Sequence, residues 1–378
     1  MPISYKTWGV ASLHALWEDF IVFRNLIPVD PRLPSISDLR SRLTLESALL
    51  PRKHEADYAL VVAEQLKLAR RILLPNASIQ RLVFLGDTHL LDRTAFQNLC
   101  AAGNWPGWAF IGQDQVDKPK KIEVQDRVYL SNRWSGLVDF LDLLRKEDFG
   151  LDEHTALVID MDKTAVGARG RNGQVIDEAR LEGVRRTVSG LLGETFDEAA
   201  FRQVYHHLNQ PAYHPFTADN QDYLAYICLV LGSGLIQFED LLQEIQSGSL
   251  RDFHAFIARV EGNRSGLPSE GLKTIHQQVW QNVQAGDPTP FKAFRYNEYL
   301  STAACFGGSP DEPVANLLNE RITITQEVRQ IAGDLRARGV LVFGLSDKPD
   351  EASLPNPEQS AQGMRSLHRL ETVCIGEV

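Results

Sequence analysis

The stretch "ALVIDMDKT", residues 156–164, is an apolar strand that ends in two carboxylates, Asp160 and Asp162. An earlier stretch, "RLVFLGDTHLLD" at residues 81–92, is a second apolar strand, and it ends in a Gly-Asp pair at Asp87. Short apolar strands that alternate with helical patterns indicate a parallel α/β sheet. Because ligands bind where parallel strands end, the two stretches predict a site built from aspartates.

Composition excludes some classes of partner. The chain has 378 residues, a formal net charge of −10 and 43% hydrophobic residues, which is ordinary for a globular protein. An acidic chain lacks the basic surface of a general nucleic-acid binder, so we expect no nucleic-acid partner. We also expect no membrane association, since there is no signal-peptide pattern and no apolar run approaches the ~18 residues that span a bilayer. The absence of a CxxC pair favours reduced thiols and a cytoplasmic protein. The sequence leaves open whether the chain forms a homo-oligomer.

Hydrophobic spacing divides the chain into three parts. Residues 9–25 and 54–74 carry apolar side chains at helical spacing, and each segment is predicted to form a helix. The first part of the α/β core is assigned to residues 1–165, which include both aspartate-ended strands. A large, mainly helical cap is predicted at residues 166–321, and strand patterns return in 322–378 as the second part of the core.

Two aspartates one residue apart at a strand end suit phosphoryl transfer. One carboxylate can attack phosphorus, and the other can donate a proton and then accept one. Here the sequence resembles the haloacid dehalogenase superfamily, whose first motif is an apolar strand followed by Asp-x-Asp-x-Thr or Val. "LVIDMDKT" matches this motif. The resemblance implies that Asp160 is the nucleophile, that Asp162 is the acid–base residue and that Thr164 contacts the substrate.

Two further motifs of the family are matched by a serine and a lysine. "VLVFGLSDKP" fits the second motif, in which Ser346 would hydrogen-bond the transferred phosphoryl group. The third motif is a lysine at the start of a helix, and Lys53 lies at about the right place. Lys348 competes with Lys53 for this role, although it is predicted to point out of a turn.

The fourth motif of the family is a strand that ends in Gly-Asp, with another aspartate four or five residues later. "LVFLGDTHLLD" fits it, with Asp87 and Asp92. Packed carboxylates repel each other, so a divalent cation is expected among them. The resemblance implies a Mg²⁺ bound by Asp87, Asp92, Asp160 and Asp162, the last through its backbone carbonyl. Asp92 has an alternative role as the cap of the helix that begins at Arg93.

The order of the motifs is unusual. In the family the fourth motif follows the second, whereas here it comes first, and the chain stops after the strand "ETVCIG", which would follow the second motif. The resemblance therefore implies a circularly permuted, Rossmann-like parallel sheet with a helical cap inserted after the first motif. Permutation at surface connections is tolerated because spatial neighbours are kept. The strands that end at Asp87 and Asp160 should thus be parallel neighbours at the centre of the sheet.

Several segments allow two interpretations. Arg169 and Arg171, in "GARGRN", would face a phosphate or a carboxylate, or would belong to a charged hinge into the cap. Hinges are predicted at residues 167–173 and 320–325. "YHPFTADNQDY" would form a substrate-facing cap surface or a helix start.

Three further features of the sequence carry expectations. In the helix-start interpretation of "YHPFTADNQDY", the N-cap would be Thr217 or Asp219. "QDQVDKPKK" at residues 113–121 has no periodicity and is predicted to be a solvated loop. Lys163 stands where the family often has glycine.

These features predict an enzyme, a Mg²⁺-dependent phosphatase or phosphotransferase that acts on a small phosphorylated metabolite through an aspartyl-phosphate intermediate. The alternative is a non-hydrolytic protein of the same fold that binds a phosphorylated ligand or a partner protein. The intact Asp-x-Asp favours the enzyme, because a pure binding protein does not need the second aspartate.

Overall fold

The computed structural model describes residues 3–45 and 49–378. Its strands are β1 (Tyr5–Ala11), β2 (Ile21–Val22), β3 (Arg81–Gly86), β4 (Gly107–Gly112), β5 (Ile122–Gln125), β6 (Val128–Ser131), β7 (Thr155–Asp160), β8 (Ile324–Thr325), β9 (Leu341–Leu345) and β10 (Thr372–Glu377). Its α-helices are α1 (His14–Trp17), α2 (Ile36–Leu43), α3 (Ala56–Leu73), α4 (Leu91–Gly103), α5 (Gly136–Lys146), α6 (Gly173–Leu192), α7 (Glu198–Leu208), α8 (His214–Thr217), α9 (Gln221–Gly232), α10 (Phe238–Ser247), α11 (Phe253–Gly262), α12 (Glu270–Gln284), α13 (Lys292–Ala304), α14 (Val314–Glu320), α15 (Gln326–Ala337) and α16 (Pro357–Ala361). None of these helices is both long and apolar enough to cross a bilayer.

The described residues form one large sheet of seven strands in the order β2-β9-β7-β3-β4-β6-β5. Neighbouring strands are parallel except at the edge, where β5 is antiparallel to β6. The predicted α/β class with a mainly parallel sheet is confirmed. The predicted adjacency is also confirmed, because β3 and β7 pair in parallel at the centre, with Leu85 opposite Ile159.

Helix α3 covers one face of this sheet. Its Ala59, Val62 and Leu66 are buried in one cluster with Phe84 of β3 and Val158 of β7. Fully burying a large apolar side chain stabilises a fold by about 1.5–3 kcal/mol. The helical spacing of the apolar residues in 54–74 therefore fixes α3 on the two strands that end at the aspartates.

The prediction of a helix over residues 9–25 was wrong. The segment contains the end of β1, a single helical turn at α1, and β2 at the edge of the large sheet. The turn ends at Glu18, which has a φ of 55°, a conformation that does not continue a right-handed helix. Leu13 and Trp17 are nevertheless buried, so the apolar pattern predicted the burial correctly and the element wrongly.

The C-terminal strand does not join the large sheet. β10 pairs with β1 and β8 in a separate three-stranded sheet of the described residues. The place beside the Ser346 strand, β9, is taken by β2 instead. The expectation that "ETVCIG" would follow the second motif within the main sheet is therefore wrong.

The predicted loop at residues 113–121 contains no helix or strand, and a hairpin that was not predicted follows it. β5 and β6 form an antiparallel hairpin whose two turn residues, Asp126 and Arg127, have φ angles of 50° and 62°. Positive φ at both central positions is the geometry of a tight hairpin turn. The loop 113–121 therefore leads into the edge of the sheet.

The chain divides into two compact units, one of Met1–Glu178 with Thr302–Val378, and one of Ala179–Ser301. The predicted cap range of 166–321 is longer than the second unit at both ends. The predicted hinges at 167–173 and 320–325 lie inside the first unit. There the two segments bond to each other, since Gly167 N donates to Thr323 O at 2.9 Å and Thr323 N donates to Asn172 Oδ1 at 2.9 Å.

The second unit is helical and has its own apolar core. The N-cap of α9 is Asn220, whose side chain accepts from Asp222 N at 2.9 Å, and neither Thr217 nor Asp219 has this role. Asp222 is buried and accepts from Arg295 Nε at 2.8 Å. The side chains of Asn220 and Asp222, which belong to the segment 213–223, therefore bond to groups within the second unit.

Candidate functional site

Three neighbouring strands bring the predicted residues to one edge of the sheet. β3 ends at Gly86, directly before Asp87, and β7 ends at Asp160 itself. β9 ends directly before Ser346. Because these strands are parallel and adjacent, their carboxyl ends meet at the same edge.

Lys53 lies at the centre of this edge. Its Nζ donates to Asp160 Oδ1 at 2.5 Å and to Asp92 Oδ1 at 2.7 Å. The ammonium also lies 5.5 Å from the ring centroid of Phe84, and the side chain is buried. Although Lys53 matched its motif only loosely, it contacts two of the predicted carboxylates, Asp160 and Asp92.

Asp92 holds the loop after β3. Its Oδ2 accepts from Asp87 N at 3.0 Å, Thr88 N at 2.8 Å and Thr88 Oγ1 at 2.8 Å. A Cβ on Gly86 would lie 2.7 Å from Asp92, so glycine is required for this close approach. The N-cap of α4 is Leu90, and the alternative role of Asp92 as the helix cap is therefore wrong.

Arg169 bonds to the other carboxylate of this loop, because its Nε donates to Asp87 Oδ2. Its backbone is fixed: the Arg169 carbonyl accepts from Asp114 N at 2.9 Å and from Trp134 Nε1 at 3.2 Å. Gly170 follows with a φ of +78°, and a Cβ there would lie 1.9 Å from Asp114 O. The tight turn therefore aims Arg169 at Asp87, with 37% of its side chain exposed and accessible to a solute.

Arg171 lies elsewhere and has a structural role. Its guanidinium is buried and donates to Asp114 at 2.8 Å, to Glu327 at 3.0 and 2.9 Å, and to the carbonyl of Ile375 at 2.9 Å. It also lies over the ring of Tyr5, 4.6 Å from the centroid. These contacts occupy the guanidinium, so the predicted substrate contact of Arg171 is wrong.

The end of the first motif is packed rather than open. Thr164 is fully buried, and its carbonyl accepts from Thr325 Oγ1 at 2.6 Å. Its hydroxyl has no hydrogen-bond partner within the described part of the chain. Lys163 has a φ of 62° and bonds to Asp177 of α6 at 2.8 Å, so its ammonium is paired with a carboxylate of that helix.

Asp162 lies near the second lysine. Lys348 Nζ is 3.7 Å from Asp162 Oδ2, and the Lys348 side chain is only 2% exposed. The expectation that Lys348 points out of a turn is therefore wrong. Ser346 is buried, and its Oγ accepts from Lys348 N at 3.1 Å, which ties the second-motif serine to this lysine.

Burial and the closely spaced charges of the site shift the pKa values of its carboxylates and of Lys53. Burial raises the pKa of Asp160 well above its usual value; the Lys53 ammonium opposes this shift, and Asp92 and Asp87 reinforce it. Burial alone would lower the pKa of Lys53, but Asp160 and Asp92 hold it well above its ordinary value. Burial and Asp92 raise the pKa of Asp87 to about 6, against the effect of Arg169. Lys53 is thus the group that favours an ionised Asp160.

Three of the four predicted metal ligands fit a cation. Asp87, Asp92 and Asp160 each offer one carboxylate oxygen, and these oxygens lie within 4.8 Å of one another. Asp87 Oδ1 and Asp160 Oδ2 accept no hydrogen bond from the residues that the structure describes. Oxygen ligands of this kind suit Mg²⁺. The carboxylate of Asp162 lies beside Lys348, and the expected contribution of Asp162 through its backbone carbonyl stays a prediction.

Sequence reasoning missed the groups that position the site. Asp114 follows β4 and orders the turn around Arg169, and Thr88 supports Asp92. The position of Asp114 just after an apolar strand was the available signal, but its partner Arg171 is 57 residues away in sequence.

No protein-family model, curated protein or solved structure matches this chain.

Proposed function

We propose that this protein is a Mg²⁺-dependent phosphatase or phosphotransferase that acts on a small phosphorylated metabolite. The observation that carries the proposal is the convergence of Asp160, Asp87 and Asp92 on Lys53 and Arg169 at the end of the central strands. Carboxylates at a nucleophilic position beside fixed cations are the parts that phosphoryl transfer requires.

The chemistry begins with attack of an Asp160 carboxylate oxygen on phosphorus. The bond from phosphorus to the leaving oxygen breaks, and Asp162 gives that oxygen its proton. Asp162 then accepts a proton from a water or an acceptor hydroxyl, whose oxygen attacks phosphorus and breaks the bond to Asp160. This returns both carboxylates to their starting state and releases phosphate or a new phosphate ester.

The basic residues have separate roles in this scheme. Lys53 orients Asp160 through the 2.5 Å bond to Oδ1, and its positive charge opposes the rise in the pKa of Asp160 that burial causes. Arg169 can bond a phosphoryl oxygen, because its guanidinium is partly exposed next to Asp87. Lys348 Nζ lies 3.7 Å from Asp162 Oδ2 and places a positive charge beside the acid–base carboxylate. Mg²⁺ held by Asp87, Asp92 and Asp160 would supply positive charge to the phosphoryl oxygens.

Phosphate release from a panel of sugar, nucleotide and carboxylic-acid phosphates, with Mg²⁺ or with EDTA, tests the proposal. We expect Mg²⁺-dependent release from a subset of the panel. The rival function, a protein that binds a phosphorylated ligand without turnover, would instead show calorimetric binding of panel members and no phosphate release.

Asp87→Asn is expected to weaken Mg²⁺ binding by at least about tenfold, because a carboxylate ligand becomes a neutral amide. The substitution should leave Asp92 in place, since Asp92 bonds to the backbone N of residue 87 and not to its side chain. Calorimetric titration with MgCl₂ measures the affinity, and circular dichroism checks the fold.

The matched control is Asp142→Asn, which changes an exposed carboxylate on α5 that pairs with Arg145. It should bind Mg²⁺ as the wild type does. Equal Mg²⁺ affinity of the wild type and the Asp87→Asn variant would contradict the assignment of Asp87 as a metal ligand.

A further inference from the structure

A cavity of about 620 Å³ lies beside the site, with Asp87 in its wall. It is formed within the first unit, where β4 and β6 end, at the same edge as the aspartates. Ile111 and Leu130 give it an apolar side, and Gln113 adds an amide. Its volume is in the range of small-molecule sites, which combine apolar walls with a few polar groups.

The loop 115–121 forms another part of the wall, and a buried arginine, Arg133, fixes it. The guanidinium of Arg133 donates to the carbonyls of Gln115 at 2.5 Å, Lys118 at 2.5 Å and Asn132 at 2.6 Å. Asn132 also bonds to the loop, because Lys121 N donates to its Oδ1 at 2.6 Å. The wall is therefore preformed, so a ligand would not have to order it on binding.

This wall is basic in an otherwise acidic protein. Lys118, Lys120 and Lys121 all line the cavity, although the chain has a net charge of −10. Lys120 and Lys121 pair with Asp139 at 2.5 Å and Glu123 at 3.4 Å. Lys118 has no carboxylate within 4.0 Å in the part of the chain that the structure describes, so its charge is available to a ligand.

We propose that this cavity binds the organic part of the substrate, and that this part carries a second anionic group, a phosphate or a carboxylate. The inference rests on the proposed function, because the cavity adjoins Asp87 of that site. The carbon skeleton would lie on Ile111 and Leu130, and the second anion would bond to Lys118.

Three probes that share a six-carbon skeleton test this subsite. Glucose 6-phosphate carries one anionic group, glucose 1,6-bisphosphate adds a phosphate, and 6-phosphogluconate adds a carboxylate at the far end. We expect at least one of the two doubly anionic probes to bind about tenfold more tightly than glucose 6-phosphate in calorimetry, the size of one partly exposed ion pair. Which of them gains affinity identifies the second group.

Variants of Lys118 assign the effect to this wall. Lys118→Gln should weaken binding of the preferred probe about tenfold and leave glucose 6-phosphate unchanged, whereas Lys118→Arg should restore most of the affinity. Lys146→Gln, an exposed lysine at the end of α5, is the matched control and should change nothing.

The outcomes separate this inference from the proposed function. Equal affinity for the three probes, no binding of either doubly anionic probe, or an equal loss for all probes in Lys118→Gln would overturn the subsite. Absence of phosphate release from every phosphate tested would contradict the proposed function, while the calorimetry would still decide the subsite.

Discussion

Asp160→Asn is expected to abolish phosphate release while the protein stays folded. The amide cannot act as the nucleophile that forms the covalent intermediate, so the rate should fall by several orders of magnitude. Steady-state assays with the best panel substrate measure the loss. Lys53 keeps its second partner, Asp92, at 2.7 Å, which should hold the lysine in position in the variant.

Asp162→Asn is the matched comparison, because it changes the other aspartate of the same motif. Loss of a proton-transfer group costs about 10²–10⁴ in rate, so this variant should retain more activity than Asp160→Asn. If a folded Asp160→Asn protein kept a tenth of the wild-type activity, the assignment of Asp160 as the nucleophile would be wrong.

Lys53→Met is expected to reduce both activity and stability. Methionine fills a similar volume but leaves Asp160 and Asp92 as buried carboxylates without their shared cation. Removing one partner of a buried ion pair costs about 3–5 kcal/mol in the free energy of unfolding. Urea denaturation of the wild type and the variant at pH 7 measures the difference.

The stability difference should also depend on pH. Without the ammonium, the pKa of Asp160 in the folded protein should rise further above its value in the unfolded chain, because burial raises it and Lys53 no longer opposes the shift, so the folded variant binds more protons. The deficit should therefore be smaller at pH 5 than at pH 8. Lys146→Met, an exposed control, should unfold like the wild type at both values. A Lys53→Met protein as stable as this control would show that Lys53 does not balance the carboxylates.

The central part of the fold could be predicted because its signals are local. Two buried strands with acidic ends, separated by amphipathic segments, suffice to indicate a parallel sheet with aspartates at one edge. The pairing of the strands that end at Asp87 and Asp160 was predicted from the resemblance of their motifs to those of a known family, in whose sheet the two strands are neighbours. Lys53 was predicted from the same resemblance, as a lysine near the start of the helix α3 that packs on both strands.

The remaining features depend on contacts between distant residues. The apolar positions in 9–25 fit a helix, yet the same residues are buried by a turn and two short strands. β10 is buried almost throughout. The sequence of a strand that is buried on both faces does not indicate which sheet the strand joins. The hairpin turn at Asp126 and Arg127 lacks the glycine that signals such turns. Arg171 was misassigned because its partners Asp114 and Glu327 lie far from it in sequence.

The central claim is that Asp160 carries the phosphoryl group during turnover. Borohydride reduces an acyl phosphate to an alcohol, so quenching the enzyme with borohydride during turnover should convert Asp160 to homoserine. Mass spectrometry of the peptide that contains residues 156–164 identifies the modified position. We predict homoserine at position 160, dependent on substrate and Mg²⁺, and unmodified aspartate at position 162. Continued phosphate release with no modification of Asp160, or with the modification on another carboxylate, would contradict the mechanism.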